Sequence, residues 1–253
     1  MLTRTAAFSF RAIPHGLFSL FFPAECRICD AALEGFTRIP VCGACLEEPA
    51  PLEAEHFCAA CQAPFQNRFP LDENGVCALC RSGLSRLDRA SSFGYYEGTL
   101  RKLIHLFKYS RMTPLTSRLS RYLERALPVD DRYDAIVAVP LHWKRRWRRG
   151  FNQAELLAKQ ISKRRRMPLM KALRRVRPTA NQSGLTSAAR RRNIAGAFQP
   201  KPGTDLRGKR VLLIDDVFTT GATASACAAA LKRAGAASVS LLTLARADRR
   251  WRD

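Results

Sequence analysis

The sequence predicts an α/β fold, a parallel sheet flanked by helices, preceded by a small cysteine-rich domain. Three observations carry this. Short apolar stretches, Ala135–Val139 and Val211–Ile214 above all, have the composition of strands buried on both faces of a parallel sheet. Segments with helical spacing of apolar residues alternate with them. Eight of the nine cysteines form four CxxC pairs, all before residue 81. A hydrophobic fraction of 47% over 253 residues is ample for a buried core.

The expected organisation is an N-terminal segment over 1–24, a cysteine domain over 25–88 and an α/β domain over 89–253. Within the first, Ala6–Pro23 is apolar but interrupted by Arg11, Pro14 and His15. A short amphipathic helix is expected there rather than a membrane span, which takes about 20 apolar residues. No convincing small-residue cleavage site follows it, and a cytoplasmic location is expected. Charge is divided unevenly. Residues 1–90 hold eight arginines, no lysine and ten acids, a net of −2. Residues 91–253 hold 35 basic and 11 acidic residues, a net of +24. The C-terminal part therefore attracts polyanions such as phosphorylated metabolites or nucleic acid.

The cysteine pairs are Cys26/Cys29, Cys42/Cys45, Cys58/Cys61 and Cys77/Cys80, with twelve residues between the first two pairs and fifteen between the last two. This spacing reads as metal binding rather than disulfides. Two closed, four-thiolate structural Zn²⁺ sites in series fit best, a double zinc ribbon. Interleaved pairing, first with third and second with fourth, is the alternative, and redox-active CxxC pairs are another. The slight acidity of the segment favours a scaffold or protein-contact role over nucleic-acid binding. Cys227, alone in a helix, reads as a small buried residue.

Along the α/β domain, Ala90–Tyr96 is the first expected strand. Leu100, Leu103, Ile104 and Phe107 then recur at i, i+3, i+4 and i+7, the face of a helix. Lys108 at its end is a candidate phosphate contact. Leu115–Ala126 is a second helix, and Ala135–Val139 leads into Pro140, Leu141 and His142. The basic stretch Trp143–Gly150 reads as a loop after a strand end. Its guanidinium groups suit a pyrophosphate, with Arg149 as a candidate. Equally, it suits single-stranded nucleic acid with the two tryptophans stacked on bases, or it is simply a solubilising charge run. Asn152 is a candidate N-cap for a helix presenting Ala154, Leu157, Ala158 and Ile161. Arg174–Phe198 reads as a long basic loop of lid type, with Arg191 as a candidate pyrophosphate contact. Ser238–Leu244 is the last strand, and Arg246–Asp253 is expected to be a surface tail.

The most informative stretch is Val211–Thr223, VLLIDDVFTTGAT. The apolar run ends in adjacent carboxylates, Asp215 and Asp216. In an open α/β sheet such residues stand where ligands bind. Ionised carboxylates accept hydrogen bonds from ribose hydroxyls or hold Mg²⁺. The turn that follows, Thr219, Thr220, Gly221, Ala222 and Thr223, feeds a helix N-terminus, where free N–H groups and the helix dipole favour a phosphate. Carboxylates for a sugar beside a nest for its phosphate describe a ribose 5-phosphate site. The stretch resembles the phosphoribosyl-pyrophosphate (PRPP) signature of type I phosphoribosyltransferases.

Nearly the whole chain resembles the ComF/GntX family. The cysteine ribbon, YYEGTLRKLIHLFKYS, VAVPLHWKRRWRRGFNQAE, NQSGLTSAARRRNIAGAF and VLLIDDVFTTGAT occur in that family's order. The resemblance implies a double zinc ribbon joined to a type I phosphoribosyltransferase domain with a Rossmann-like sheet. It implies a PRPP site in which Asp215 and Asp216 bind the ribose hydroxyls, partly through Mg²⁺, and Val217–Thr223 hold the 5-phosphate. Pro140, Leu141 and His142 fall where the pyrophosphate loop sits. The implied activity is Mg²⁺-dependent phosphoribosyl transfer, linked to DNA uptake in competence or to DNA utilisation, with proteins of the uptake machinery as partners. The alternative is a non-catalytic protein that senses PRPP and binds single-stranded DNA.

Overall fold

The computed structural model describes residues 25–33, 37–81, 86–128, 131–177 and 193–247. The segment 1–24, Arg191 with the middle of the basic connection, and residues 248–253 lie outside the described residues. Contacts divide the chain into two compact units, 1–47 and 48–253. None of the helices among the described residues is long and apolar enough to cross a membrane.

In the first unit, the knuckle at Cys26 is closed by Asp30 N–H donating to the Cys26 carbonyl at 2.9 Å and Cys26 N–H donating to Ala31 at 2.8 Å. A short helix, α1 (Gly43–Glu47), carries Cys45. The second unit begins with a matching knuckle. The ribbon of β1 (His56–Phe57) and β2 (Pro64–Phe65) is antiparallel and brackets Cys58 and Cys61, and α2 (Ala78–Arg81) carries Cys80.

The main sheet comprises β3 (Arg89–Tyr95), β4 (Ala135–Ala138), β7 (Arg210–Phe218) and β8 (Ser238–Arg246), in the order β3-β8-β7-β4 and parallel throughout. A single parallel bridge from Ile136 to Leu169 continues it beyond β4. The two inner strands carry the most continuous apolar runs, because neighbours cover both of their faces. Val211–Ile214 and Val239 are almost fully buried.

The helices follow their apolar spacing. The first long one, α3 (Gly98–Tyr109), buries Leu100, Leu103, Ile104 and Phe107. Next, α4 (Leu115–Ala126) sets Tyr122 against Phe93 of β3 with ring centroids 4.8 Å apart. In α6 (Gln153–Arg165), Asn152 is the N-cap. Its Oδ1 accepts from Ala154 N–H, and its Nδ2 donates to the Val139 carbonyl, tying the helix start to the end of β4. Alanine-rich α7 (Ala222–Arg233) packs closely on the sheet and ends at Gly235, φ +95°, where Gly235 and Ala236 N–H groups donate to Lys232 and Leu231. This pair of bonds is a Schellman closure.

Four expectations need correction. Residues 143–149 form a helix, α5 (Trp143–Arg149), not a loop. Arginine, lysine and tryptophan are adequate helix formers, and no apolar stripe is needed where a helix faces water. The basic connection is not irregular throughout. Its ends form the antiparallel ribbon β5 (Leu173–Arg175) and β6 (Phe198–Pro200). Strand β7 does not stop at Ile214 but runs through both acids to Phe218. Arg246 is not a surface tail residue: it ends β8 and is 2% exposed.

A Cβ on Gly235 would lie 2.9–3.0 Å from atoms of Arg207, on a backbone at positive φ. Gly235→Ala should therefore cost about 1–2 kcal/mol of stability. Chemical denaturation would show it as a lowered midpoint with an unchanged slope.

Candidate functional site

At the carboxyl ends of β4 and β7 lies an open cleft of about 510 Å³. Its walls come from the end of β7 and the start of α7, the turn after β4, the last turn of α3, the end of the helix Trp143–Arg149, β5, Tyr96 just after β3 and Leu241 of β8. Sequence-expected residues that line it are Asp215, Asp216, Val217, Thr219, Gly221, Ala222, Thr223, Pro140, Leu141, Lys108 and Arg149. Thr220 and His142 do not line it. His142 is instead buried beside Trp143, with ring centroids 5.6 Å apart.

The acid pair is held in two ways. Asp215 Oδ1 accepts from the Asp216 N–H at 2.9 Å. Asp216 Oδ1 lies 2.9 Å from Lys108 Nζ, with both side chains largely withdrawn from water at 13% and 15% exposure. Burial opposes the Lys108 ammonium, yet Asp216 outweighs it and holds Lys108 above its ordinary value. Burial, with the neighbouring Asp216 carboxylate, pushes Asp215 up to about 7, against the pull of its backbone hydrogen bond and the Lys108 and Arg175 cations. The two neighbouring acids thus differ in character: one is ion-paired, the other is poised to take or lose a proton near neutrality.

Beyond the acids the chain turns at Gly221, φ +73°, the N-cap of α7. A Cβ there would stand 3.0–3.1 Å from the Phe218 ring, so the ring packs directly against the loop glycine. The Gly221 N-cap makes no side-chain cap bond, and the twelve-residue helix it starts opens at the cleft, where the helix dipole favours an anion.

The rest of the lining is largely cationic and aromatic. Arg149 stacks over Tyr109 at 5.0 Å from the ring centroid, and its Nη1 donates to Gln153 Oε1 at 3.2 Å. Tyr96 lies under Lys108 at 5.9 Å and meets His105 at 3.0 Å through its hydroxyl. Arg175 lines the cleft from β5 while its guanidinium packs over Phe198. Sequence reasoning missed Tyr96 and Tyr109 and gave the Phe218 ring no role of its own. A signal existed for the tyrosines, since Tyr109 follows Lys108 on the same helical turn. Arg175 belongs to the basic segment whose arginines were expected near the pyrophosphate, but the β5–β6 pairing that carries it to the cleft was not foreseen.

The cysteines group in series: Cys26, Cys29, Cys42 and Cys45 in one tetrad, Cys58, Cys61, Cys77 and Cys80 in the other, each with its sulfurs within 4.8 Å of one another. This excludes interleaved pairing. The sulfurs fit a metal. Cys29–Cys42, Cys58–Cys80 and Cys61–Cys77 are separated by 3.7, 3.9 and 3.9 Å. Tetrahedral bonds of about 2.3 Å to an ion set sulfurs about 3.8 Å apart. Backbone N–H groups of Cys42 and Cys77 point at the sulfurs of Cys26 and Cys58, both at 3.3 Å, as in metal knuckles. Each tetrad could hold one metal ion.

Removing the Lys108 charge should raise Asp215 further. In Lys108→Met, NMR titration of the Asp215 carboxyl should give a midpoint above that of the unmodified chain. An unchanged midpoint would mean that the ammonium does not act on the pair.

Comparison with known proteins agrees with this geometry. The phosphoribosyl transferase domain family matches residues 148–253. The DNA utilization protein YhgH of Escherichia coli (strain K12) is 38% identical over 161 residues, 60% of this chain and 69% of its own. Competence protein F of Haemophilus influenzae is 35% identical over 168 residues, 63% of this chain and 73% of its own. Competence protein ComFC of Bacillus subtilis (strain 168) is 33% identical over 117 residues, 46% of each chain. A parallel sheet ending in an acid pair and a glycine turn, two cysteine tetrads, and relatives of this likeness place the chain in the ComF/GntX family, with a type I phosphoribosyltransferase domain.

Proposed function

We propose that the cleft binds PRPP with Mg²⁺ and transfers its phosphoribosyl group to a nucleophile, in the service of DNA uptake or DNA utilisation. The observation that carries this reading is the convergence of the acid pair, the Thr219–Thr223 loop and three cations, Lys108, Arg149 and Arg175, on one cleft. In this reading Asp215 and Asp216 accept the ribose hydroxyls, and the loop N–H groups and threonines hold the 5-phosphate. Lys108, Arg149 and Arg175, with the turn at Pro140–Leu141, face the pyrophosphate. The bond from the anomeric carbon to pyrophosphate breaks, its electron pair leaves with pyrophosphate, and the carbon bonds the nucleophile. Fixed positive charge at the leaving oxygens lowers that barrier. Mg²⁺, when bound, would supply further neutralisation of the same charge.

A second reading rests on α5. Trp143 and Trp147 are 66% and 85% exposed on a helix of otherwise basic residues, a surface suited to stacking on single-stranded nucleic acid. The protein would then sense PRPP and hold DNA without turnover. Pyrophosphate release from labelled PRPP in the presence of bases, amines and DNA separates the two.

Calorimetry with PRPP and Mg²⁺ should show binding, weakened about tenfold or more in Asp215→Asn and in Asp216→Asn. Ionised Asp215 is acceptor-only and accepts charge-assisted hydrogen bonds from both ribose hydroxyls, whereas protonation turns one oxygen into a donor and weakens the grip. Below its pKa of about 7, affinity should fall about tenfold per pH unit, with uptake of a proton on release of ligand. No binding by the unmodified chain, or affinity in both variants unchanged from it, would refute the reading.

The tetrads are proposed to hold zinc, the ion that closed four-thiolate sites select. Metal analysis should find about two zinc ions per chain. One ion or none would overturn this.

A further inference from the structure

We propose that Arg246 is a positioning residue through which the tetrad Cys58, Cys61, Cys77 and Cys80 sets the shape of the Phe218–Gly221 loop. This deepens the reading of the cleft as a PRPP site and rests on it. A guanidinium only 2% exposed must have its charge and donors matched, or its burial would be prohibitive. Its partners lie in the metal knuckle and in the ligand loop. Nη1 donates to the Cys61 carbonyl, and Nη2 lies 3.5 Å from the Cys61 sulfur. The Cζ of the same guanidinium lies over the Phe218 ring, 4.7 Å from its centroid.

Both ends of this link are constrained. The Arg246 backbone sits in β8 opposite Phe218 of β7 and Tyr95 of β3. Tyr96 N–H donates to the Arg246 carbonyl and Ala247 N–H to the Phe218 carbonyl, each at 2.8 Å. The side chain is therefore launched from a fixed point, and the knuckle and the ring decide where it ends. On the far side, the Phe218 ring touches Gly221, the N-cap of α7, and both residues line the cleft. The path runs from a cysteine ligand through Arg246 and Phe218 to the backbone proposed to hold the 5-phosphate.

Charge gives the path its direction. Four thiolates around a divalent ion keep net negative charge, and N–H donors outside the ligands stabilise and orient them. Emptying this tetrad removes the charge that the Arg246 guanidinium faces. It also frees the Cys61 carbonyl to move. The stack on Phe218 then loses its anchor, and the loop loses its fixed shape. A purely structural knuckle would lower stability without this specific dependence.

The test compares the full chain with Arg246→Met, Arg246→Lys, Phe218→Leu and Cys80→Ser. Cys80 is a ligand of the same tetrad that does not touch Arg246 through the contacts above. Without any ligand, hydrogen exchange at the amides of 218–223 should be faster in Arg246→Met and in Cys80→Ser. With PRPP and Mg²⁺, calorimetry should give about tenfold weaker binding in each. The double variant should be no weaker than either single one, because both cut the same link. Arg246→Lys should recover part of the loss. If Arg246→Met does not fold, Phe218→Leu stands in for it: adding Cys80→Ser to Phe218→Leu should then change neither exchange nor affinity. Unchanged exchange in Arg246→Met, or additive losses in the double variant, would overturn the proposal. Failure of the unmodified chain to bind PRPP, with exchange altered as stated, would sink the cleft reading and leave the mechanical link intact.

Discussion

Two carboxylates side by side at the end of an inner strand repel each other and resist leaving water. The arrangement of this domain answers that constraint. Strand β7 carries Asp215 and Asp216 just past its pairing with β4, which ends at Ile214, while β8 pairs with it beyond the acids to Phe218. Lys108, delivered by the last turn of α3, neutralises Asp216 at 2.9 Å, while Asp215 is pushed toward neutrality and takes a backbone N–H. The apolar face of α3 that buries Leu103, Ile104 and Phe107 thus also sets the reach of Lys108. Core packing and site electrostatics are one problem here.

The ion pair bears on the proposed function. Lys108 balances the charge of Asp216 within the cleft. Under that proposal, a dication bound with a pyrophosphate would take the place of the lysine at the acids, and the pyrophosphate would give the lysine an anionic partner. Two other cations of the cleft are held in advance, Arg149 by Gln153 and Tyr109 and Arg175 by Phe198. Bracing long side chains in advance lowers the entropy lost when a phosphate is gripped.

Much of this was legible in the sequence because it rests on local pattern. The strands at Ala135 and Val211, the helices of Leu100–Phe107 and Leu115–Ala126 and the Asn152 cap all follow from spacing and single-residue chemistry. So did the cleft-lining loop after the acids. What escaped depends on partners far away in the chain. Residues 143–149 carry no apolar stripe, so nothing local announced a helix. Arg175 reaches the cleft only because β5 pairs with β6, and Arg246 looked like a polar tail because its acceptor, Cys61, lies 185 residues earlier. The serial grouping of the cysteines was favoured by spacing but required the geometry of the sulfurs to decide it.

The central claim is that the acid pair and the turn behind it grip one ribose 5-phosphate. A crystal structure of the chain with PRPP and Mg²⁺ tests it most directly. The account expects the 5-phosphate against the backbone of Thr219–Thr223, the ribose hydroxyls and the ion at Asp215 and Asp216, and Lys108 drawn off Asp216 toward pyrophosphate. Ligand density confined to the arginines of α5, with the Lys108–Asp216 pair intact and the turn empty, would contradict it.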